Sequence, residues 1–249
     1  MRSIPDDNLS FPVFIRLGDG STGSGFFLDK ADCIYVVTAK HVLFDGAGNL
    51  KSDTATCSSL APDHVTKQVV DLDLAACTVT AHGQADVVVI AFASLDAANR
   101  TIRFREGVTS KGPRTKIFGV GEASSFKFED VLVTNTVYLF GYPTSLGQSG
   151  QLDVERPLIR RGIIADRDTN RGHIVVDCPV YQGNSGGLVL EVREVSLGEF
   201  RSGAIGVATQ FVPFVEQFWS LQFPAIINTS LENSGLGIVT PIDRVLELI

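Results

Sequence analysis

Residues 181–190 read YQGNSGGLVL, one serine set among three glycines and followed at once by an apolar run. A flexible linker can hold those residue types, but a linker does not usually lead into a strand-like Leu188-Val189-Leu190. The alternative is that Ser185 is a nucleophile, held where only glycine lets a substrate come close. A serine hydroxyl is a poor nucleophile near neutral pH. It needs a base to take its proton, an acid to orient that base, and donors for the oxyanion that develops.

The base is sought among four histidines, His41, His64, His82 and His173. His41 follows the strand-like CIYVVTA (33–39) and stands at a rigid strand end. His64 lies in a polar loop, His82 precedes a glycine in a turn, and His173 opens a strand. A lone histidine is usually a surface or core-edge residue, and only the pairing with Ser185 singles out His41. The acid belongs at a strand end too. Asp86 opens the apolar DVVVIAF (86–92), where a carboxylate is costly to desolvate unless something pairs with it. Its rival is Asp73 in DLDLAAC (71–77), before a shorter and less apolar run.

Chain order narrows the choice. Gly183, Ser185 and Gly187 match the G-x-S-x-G elbow of α/β-hydrolases, but that fold runs serine, acid, histidine, and no histidine follows Ser185. A subtilisin-like order needs an acid near Asp29 or Asp32 and a strand–helix alternation that is missing. Histidine, acid, serine is the order that survives. GDGSTG (18–23) matches a dinucleotide fingerprint literally, yet it opens the strand-like GFFLD (25–29) where the motif must open a helix. No cofactor and no metal site is expected.

The 249 residues are 44% hydrophobic and carry a net charge of −7, enough for a sizeable core and against a nucleic-acid partner. No apolar run reaches membrane-spanning length. The start, MRSIPDDNLSFPVF, lacks an apolar signal core, so a cytoplasmic location is expected. Cys33, Cys57, Cys77 and Cys178 fit no zinc spacing and are expected as free, mostly buried thiols.

Short Val-, Ile- and Phe-rich runs bounded by turn residues dominate: 11–17, 25–29, 33–39, 86–92, 137–142, 158–165, 173–177, 187–192 and 204–210. They predict an all-β protein. TPIDRVLELI (240–249) predicts a terminal helix with Thr240 as N-cap and Pro241 in its first turn. PFVEQFWSL (213–221) is a second helix candidate. The polar stretch 96–114 reads as a linker between two halves, and the loops 142–157 and 224–237 are long enough to be functional or mobile.

On these residues the chain resembles the trypsin-like, chymotrypsin-fold serine proteases, nearest to the bacterial high-temperature-requirement type, from about residue 13 to 249. Gly23-Ser24-Gly25-Phe26, Thr38-Ala39-Lys40-His41-Val42, the strand from Asp86, Gly183-Asn184-Ser185-Gly186-Gly187 and the terminal GLGIVTPIDRVLEL carry the likeness. The resemblance implies two six-stranded antiparallel β-barrels with a C-terminal helix. Residues 1–105 would carry His41 and Asp86, and residues 106–249 would carry Ser185. It implies a Ser-His-Asp triad and an oxyanion hole from the N–H groups of Gly183 and Ser185. It also implies a polypeptide substrate held by Pro179, Val180, Thr209, Gln210 and Phe211. Pro179 stands six before the nucleophile, where a Lys/Arg-selecting acid would sit, so cleavage after small or medium apolar residues is expected. Asp177, eight before, would change that only if the loop is shifted. The aromatic group Phe211, Phe214, Phe218, Trp219 and Phe223 reads as insertion packing, a substrate surface or an oligomer interface. A regulatory domain or homo-oligomer is left open, as is a silent fold that grips peptides without cutting them.

Overall fold

The computed structural model describes residues 4, 7–96, 101–112, 117–219, 222 and 227–249. The first half is built from β1 (Pro12–Leu17), β2 (Thr22–Lys30), β3 (Cys33–Thr38), the one-turn helix α1 (Lys40–Leu43), β4 (Thr54–Leu60), β5 (Lys67–Asp73), β6 (Val79–Ala81) and β7 (Val88–Leu95). Three short strands follow, β8 (Ile102–Phe104), β9 (Val108–Ser110) and β10 (Val120–Gly121). The second half holds β11 (Thr136–Gly141), β12 (Leu158–Asp168), β13 (His173–Asp177), β14 (Leu188–Ser196), β15 (Glu199–Trp219), β16 (Ile227–Pro241) and the terminal helix α2 (Ile242–Leu246).

The first sheet runs β6-β7-β3-β2-β1-β4-β5-β9, with β8 on β7 and β10 on β2. The second is a closed six-stranded barrel in the order β11-β12-β13-β16-β15-β14. The chymotrypsin-like architecture therefore holds, with one correction. The first sheet has ten strands rather than six, and β10 lies parallel to β2.

All nine expected strands are present. The omitted β4 and β5 are rich in Thr, Ser, Lys and Asp, yet both alternate buried and exposed positions as a half-buried strand must. The expected linker is corrected over its described residues. Ile102 and Phe104 pack against the core of the first sheet and Val108 is buried in it. β8 pairs with β7 while β9 pairs with β5, so residues 102–110 bridge the two flanks of the sheet. The passage to the second barrel accordingly falls at 122–135 and not at 105/106, while 97–100 and 113–114 lie outside the described residues. The helix expected over 213–221 is strand through Trp219, the outer part of β15 paired with β16. Pro213 sits at a bulge of that pairing, where a missing N–H is tolerated.

Three apolar clusters organise the molecule. One fills the first sheet around Ile15, Val36 and Phe92, and one fills the second barrel around Leu139, Ile174 and Ile205. The third lies in the seam and takes residues from both halves: Phe26, Val37 and Val89 against Phe140, Leu188 and Val207, closed by Ile242 and Val245 of α2. The terminal helix is thus present, but Pro241 is its N-cap and Thr240 still belongs to β16. All four cysteines are free, with Cys57, Cys77 and Cys178 buried and Cys33 half-buried. Burial pushes the Cys57 thiol up to about 12 and Cys178 up to about 11.

Candidate active site

His41 is the second residue of α1, directly after β3. Val42 and Leu43 anchor that turn in the core, which leaves the imidazole at the surface of the crevice. The first N–H groups of any helix lack an intrahelical partner, and here the His41 N–H donates to Asp86 Oδ1 at 2.9 Å. The other oxygen, Oδ2, lies 2.6 Å from His41 Nδ1. Asp86 itself is in the bend two residues before β7, next to the fully buried Val87. One carboxylate thus spans the backbone and the ring of a single residue and fixes the imidazole in two directions. Burial would raise the Asp86 pKa, but the His41 ring, the His41 charge and N–H bonds from His41 and Lys40 outweigh it and lower the carboxyl below its usual value. The rival Asp73 instead closes a turn, accepting from the N–H groups of Ala75 and Ala76.

Ser185 comes from the second barrel, in the turn that enters β14. Gly183 and Gly186 both have left-handed φ, +99° and +90°. A Cβ at Gly183 would run into the Tyr142 carbonyl, and one at Gly186 into the Ser24 carbonyl. This is the physical requirement behind the glycines of the motif. The N–H groups of Gly183 and Ser185 donate to no acceptor among the described residues, and their directions follow from peptide geometry. In a trans peptide the N–H points opposite to the carbonyl. The Gln182 carbonyl is held by the N–H and Oγ of Ser145 at 3.3 and 3.2 Å, and the Asn184 carbonyl by the Gly187 N–H at 2.9 Å. Each bond turns the following N–H the other way.

The turn is also clamped from the first sheet by Ser24, a fully buried residue of β2. Its hydroxyl donates to the Gly183 carbonyl at 2.7 Å and accepts from the Tyr142 N–H at 2.8 Å. Its backbone N–H donates to the Ser185 carbonyl at 2.8 Å. Its own carbonyl accepts from the Thr38 hydroxyl at 2.6 Å. The Ser185 hydroxyl contacts the Thr209 carbonyl at 3.4 Å.

A cleft of about 1000 Å³ between the halves contains His41, Asp86 and Ser185 together, along with Val180, Thr209, Gln210 and Phe211. Pro179 is the exception among the expected site residues. It follows β13 half-buried between the buried Cys178 and Val180, and of the three only Val180 lines the cleft. Sequence reasoning missed Ser145, Tyr181, Gln182, Leu231, Glu232 and Asn233, which also line it. Asn233 donates its side-chain amide to the Val180 carbonyl at 2.6 Å and accepts from the Gly235 N–H. Only the length of the stretch 224–237 hinted at these last three; expected as a loop, it is strand β16 from Ile227 onward, where pairing with β15 orders it, and 224–226 lie outside the described residues. Ser24 was legible as part of a small-residue motif but not as a clamp. Among the other histidines, His82 pairs with Glu247 of the C-terminal segment and His173 lies 3.8 Å from Asp168. Among the described residues, no cluster of His, Cys, Asp and Glu could hold a metal ion, and no helix is long and apolar enough to cross a membrane.

A curled β-sheet packed on a closed barrel, with a serine, a histidine and an aspartate lining the cleft between them, points to a serine-type hydrolase of the protease class. The model of the trypsin-like peptidase domain matches residues 23–198, and the chain belongs to that family. No curated protein sequence matches it significantly. Among solved structures it is similar to Deg5, at 17% identity and a TM-score of 0.56, over 97% of this chain and 88% of that one. It is likewise similar to the thermostable serine protease AL20 from an extremophilic microorganism, at 12% identity and a TM-score of 0.57, over 98% and 96% of the two chains. A serine endoprotease from Yersinia pestis aligns at 16% identity and a TM-score of 0.51, over 99% of this chain and 66% of that one. At these identities the likeness speaks for the fold.

Proposed function

We propose that the chain is an endopeptidase that cuts peptide bonds through an acyl-enzyme, with Ser185 as nucleophile, His41 as general base and acid, and Asp86 as the group that orients the imidazole. The observation that carries this reading is the double grip of Asp86 on His41, at 2.9 and 2.6 Å, in the same cleft as Ser185. With Nδ1 engaged by the carboxylate, Nε2 is the nitrogen free to take a proton. The hydroxyl of Ser185 swings from the Thr209 carbonyl toward Nε2 as substrate enters; such bonds commonly tighten only in the substrate complex. Ser185 Oγ then bonds to the scissile carbonyl carbon, and its proton passes to His41. The N–H groups of Gly183 and Ser185 receive the oxyanion. Collapse breaks the C–N bond as His41 protonates the leaving amine. Water, deprotonated by His41, hydrolyses the ester and restores the hydroxyl.

The primary pocket accepts small or medium apolar side chains. Val180 supplies an apolar wall, Gly237 packs against it without room for a Cβ, and the Asn233 amide is tied to the backbone at Val180 and Gly235. The test is covalent labelling with a fluorophosphonate, followed by peptide-library profiling. The wild-type chain is expected to label, and Ser185→Ala not to. Ser185→Ala and His41→Ala should each lower turnover by about 10⁶. Equal labelling of wild type and Ser185→Ala would end the nucleophile assignment, and strong cleavage after Lys or Arg would end the pocket assignment.

A further inference from the structure

Beyond the barrel, residues 211–219 of β15 and 227–235 of β16 continue as a two-stranded arm. Phe211, Phe214, Val215, Phe218, Trp219 and Leu231 are each between 44% and 69% exposed on it. A two-stranded ribbon is marginal by itself in water, and so much apolar surface gathered on one element marks a contact surface. At the base of the arm, Phe211 and Leu231 line the cleft that holds His41 and Ser185. Arm and cleft are therefore one continuous surface.

We propose that this arm binds the polypeptide substrate itself, taking an unfolded apolar segment that carries lysine or arginine and flanks the bond to be cut. The proposal rests on the peptidase reading above and adds a substrate class to it. The charge pattern selects the occupant. Cross-strand register puts Phe214, Phe218, Glu216 and Glu232 on one face of the ribbon. An apolar segment with basic residues answers both features. A second copy of the chain, docked arm to arm, would set these glutamates against their own equivalents on a molecule of net charge −7. The strand from Pro213 to Trp219 can accompany about seven extended residues, on the order of 20 Å, past the cleft.

Trp219 is the only tryptophan in the chain and lies with Val215 and Leu231 on the ribbon face opposite Phe214 and Phe218, so its emission tells which face is covered. The Ser185→Ala protein is titrated with two tryptophan-free peptides. One spans only the cleft, and the other carries about seven Leu- and Lys-rich residues on each side. The long peptide is expected to bind about tenfold tighter than the short one and to leave the emission of Trp219, on the other face, little changed. A Phe214→Ser, Phe218→Ser double variant is expected to lose that gain and keep the short-peptide affinity. Replacing lysine by glutamate in the long peptide should weaken it. Equal affinity of the two peptides overturns the proposal. So does an emission shift that depends on protein concentration alone and tracks self-association in sedimentation. If the wild-type chain fails to react with fluorophosphonate while the long peptide still binds the arm, the peptidase reading falls and the arm's role stands.

Discussion

Removing the Ser24 hydroxyl would delete two buried hydrogen bonds at once, leaving the Gly183 carbonyl and the Tyr142 N–H unpaired. Ser24→Ala should cost about 2–4 kcal/mol of stability, measured by denaturant unfolding. Because the lost bond holds the peptide beside Ser185, the proposed mechanism has kcat also fall roughly 10-fold or more with KM little changed. An unchanged kcat would show that the clamp is only architectural. Asp29 is a second residue with a measurable signature. Its Oδ1 is buried without a partner, and burial pushes its carboxyl up from 3.8 to about 6, against an opposing N–H bond from Gly119. In that window the folded chain keeps a proton that the unfolded chain releases. Stability therefore falls as pH rises from about 4 to about 6 and levels off above. The amplitude is about 2 kcal/mol after allowance for partial exposure. Melting temperatures of wild type and Asp29→Asn across pH 4 to 7 check this; the variant should lack the decline, and parallel curves would rule Asp29 out as its source.

Among the elements, the short helix α2 closes the apolar cluster shared by the two halves. Ile242 and Val245 are fully buried in the cluster shared by the two barrels. Ile242→Ala should destabilise by about 2–5 kcal/mol, read from the shift in the denaturation midpoint. A loss under about 1 kcal/mol would mean the seam collapses around the gap. The helix was legible because Ile242, Val245, Leu246 and Ile249 share a face. β8 and β9 were not, because each is three residues long and set among charges. Only pairing with β7 and β5 makes them strands. The outer part of β15 misled for the opposite reason. Phe214 and Phe218 stand four apart, a helical spacing, and the pairing with β16 overrides it.

For the molecule as a whole, the shared seam cluster couples the halves. Thermal unfolding should be a single transition, with hydrogen exchange in the first sheet and the second barrel lost at the same midpoint. Two separated midpoints would show that the seam packs too weakly to join them. The second barrel closes through β14 pairing with β11, residues about fifty positions apart in the chain. No local pattern announces such a contact.

The sequence alone determined the all-β class, the order histidine, acid, serine, and the glycines around Ser185. Those depend on residue type, alternation and backbone freedom, which are properties of short stretches. The longer apolar strand after Asp86 already set it ahead of Asp73, and the folded chain lays its carboxylate on His41. Tertiary structure alone decided that Val180 rather than Pro179 lines the cleft, and that Ser24 and Ser145 hold the peptides beside Ser185. Each of these is a contact between segments remote in the chain, and their directions are fixed only when the sheets have paired and packed.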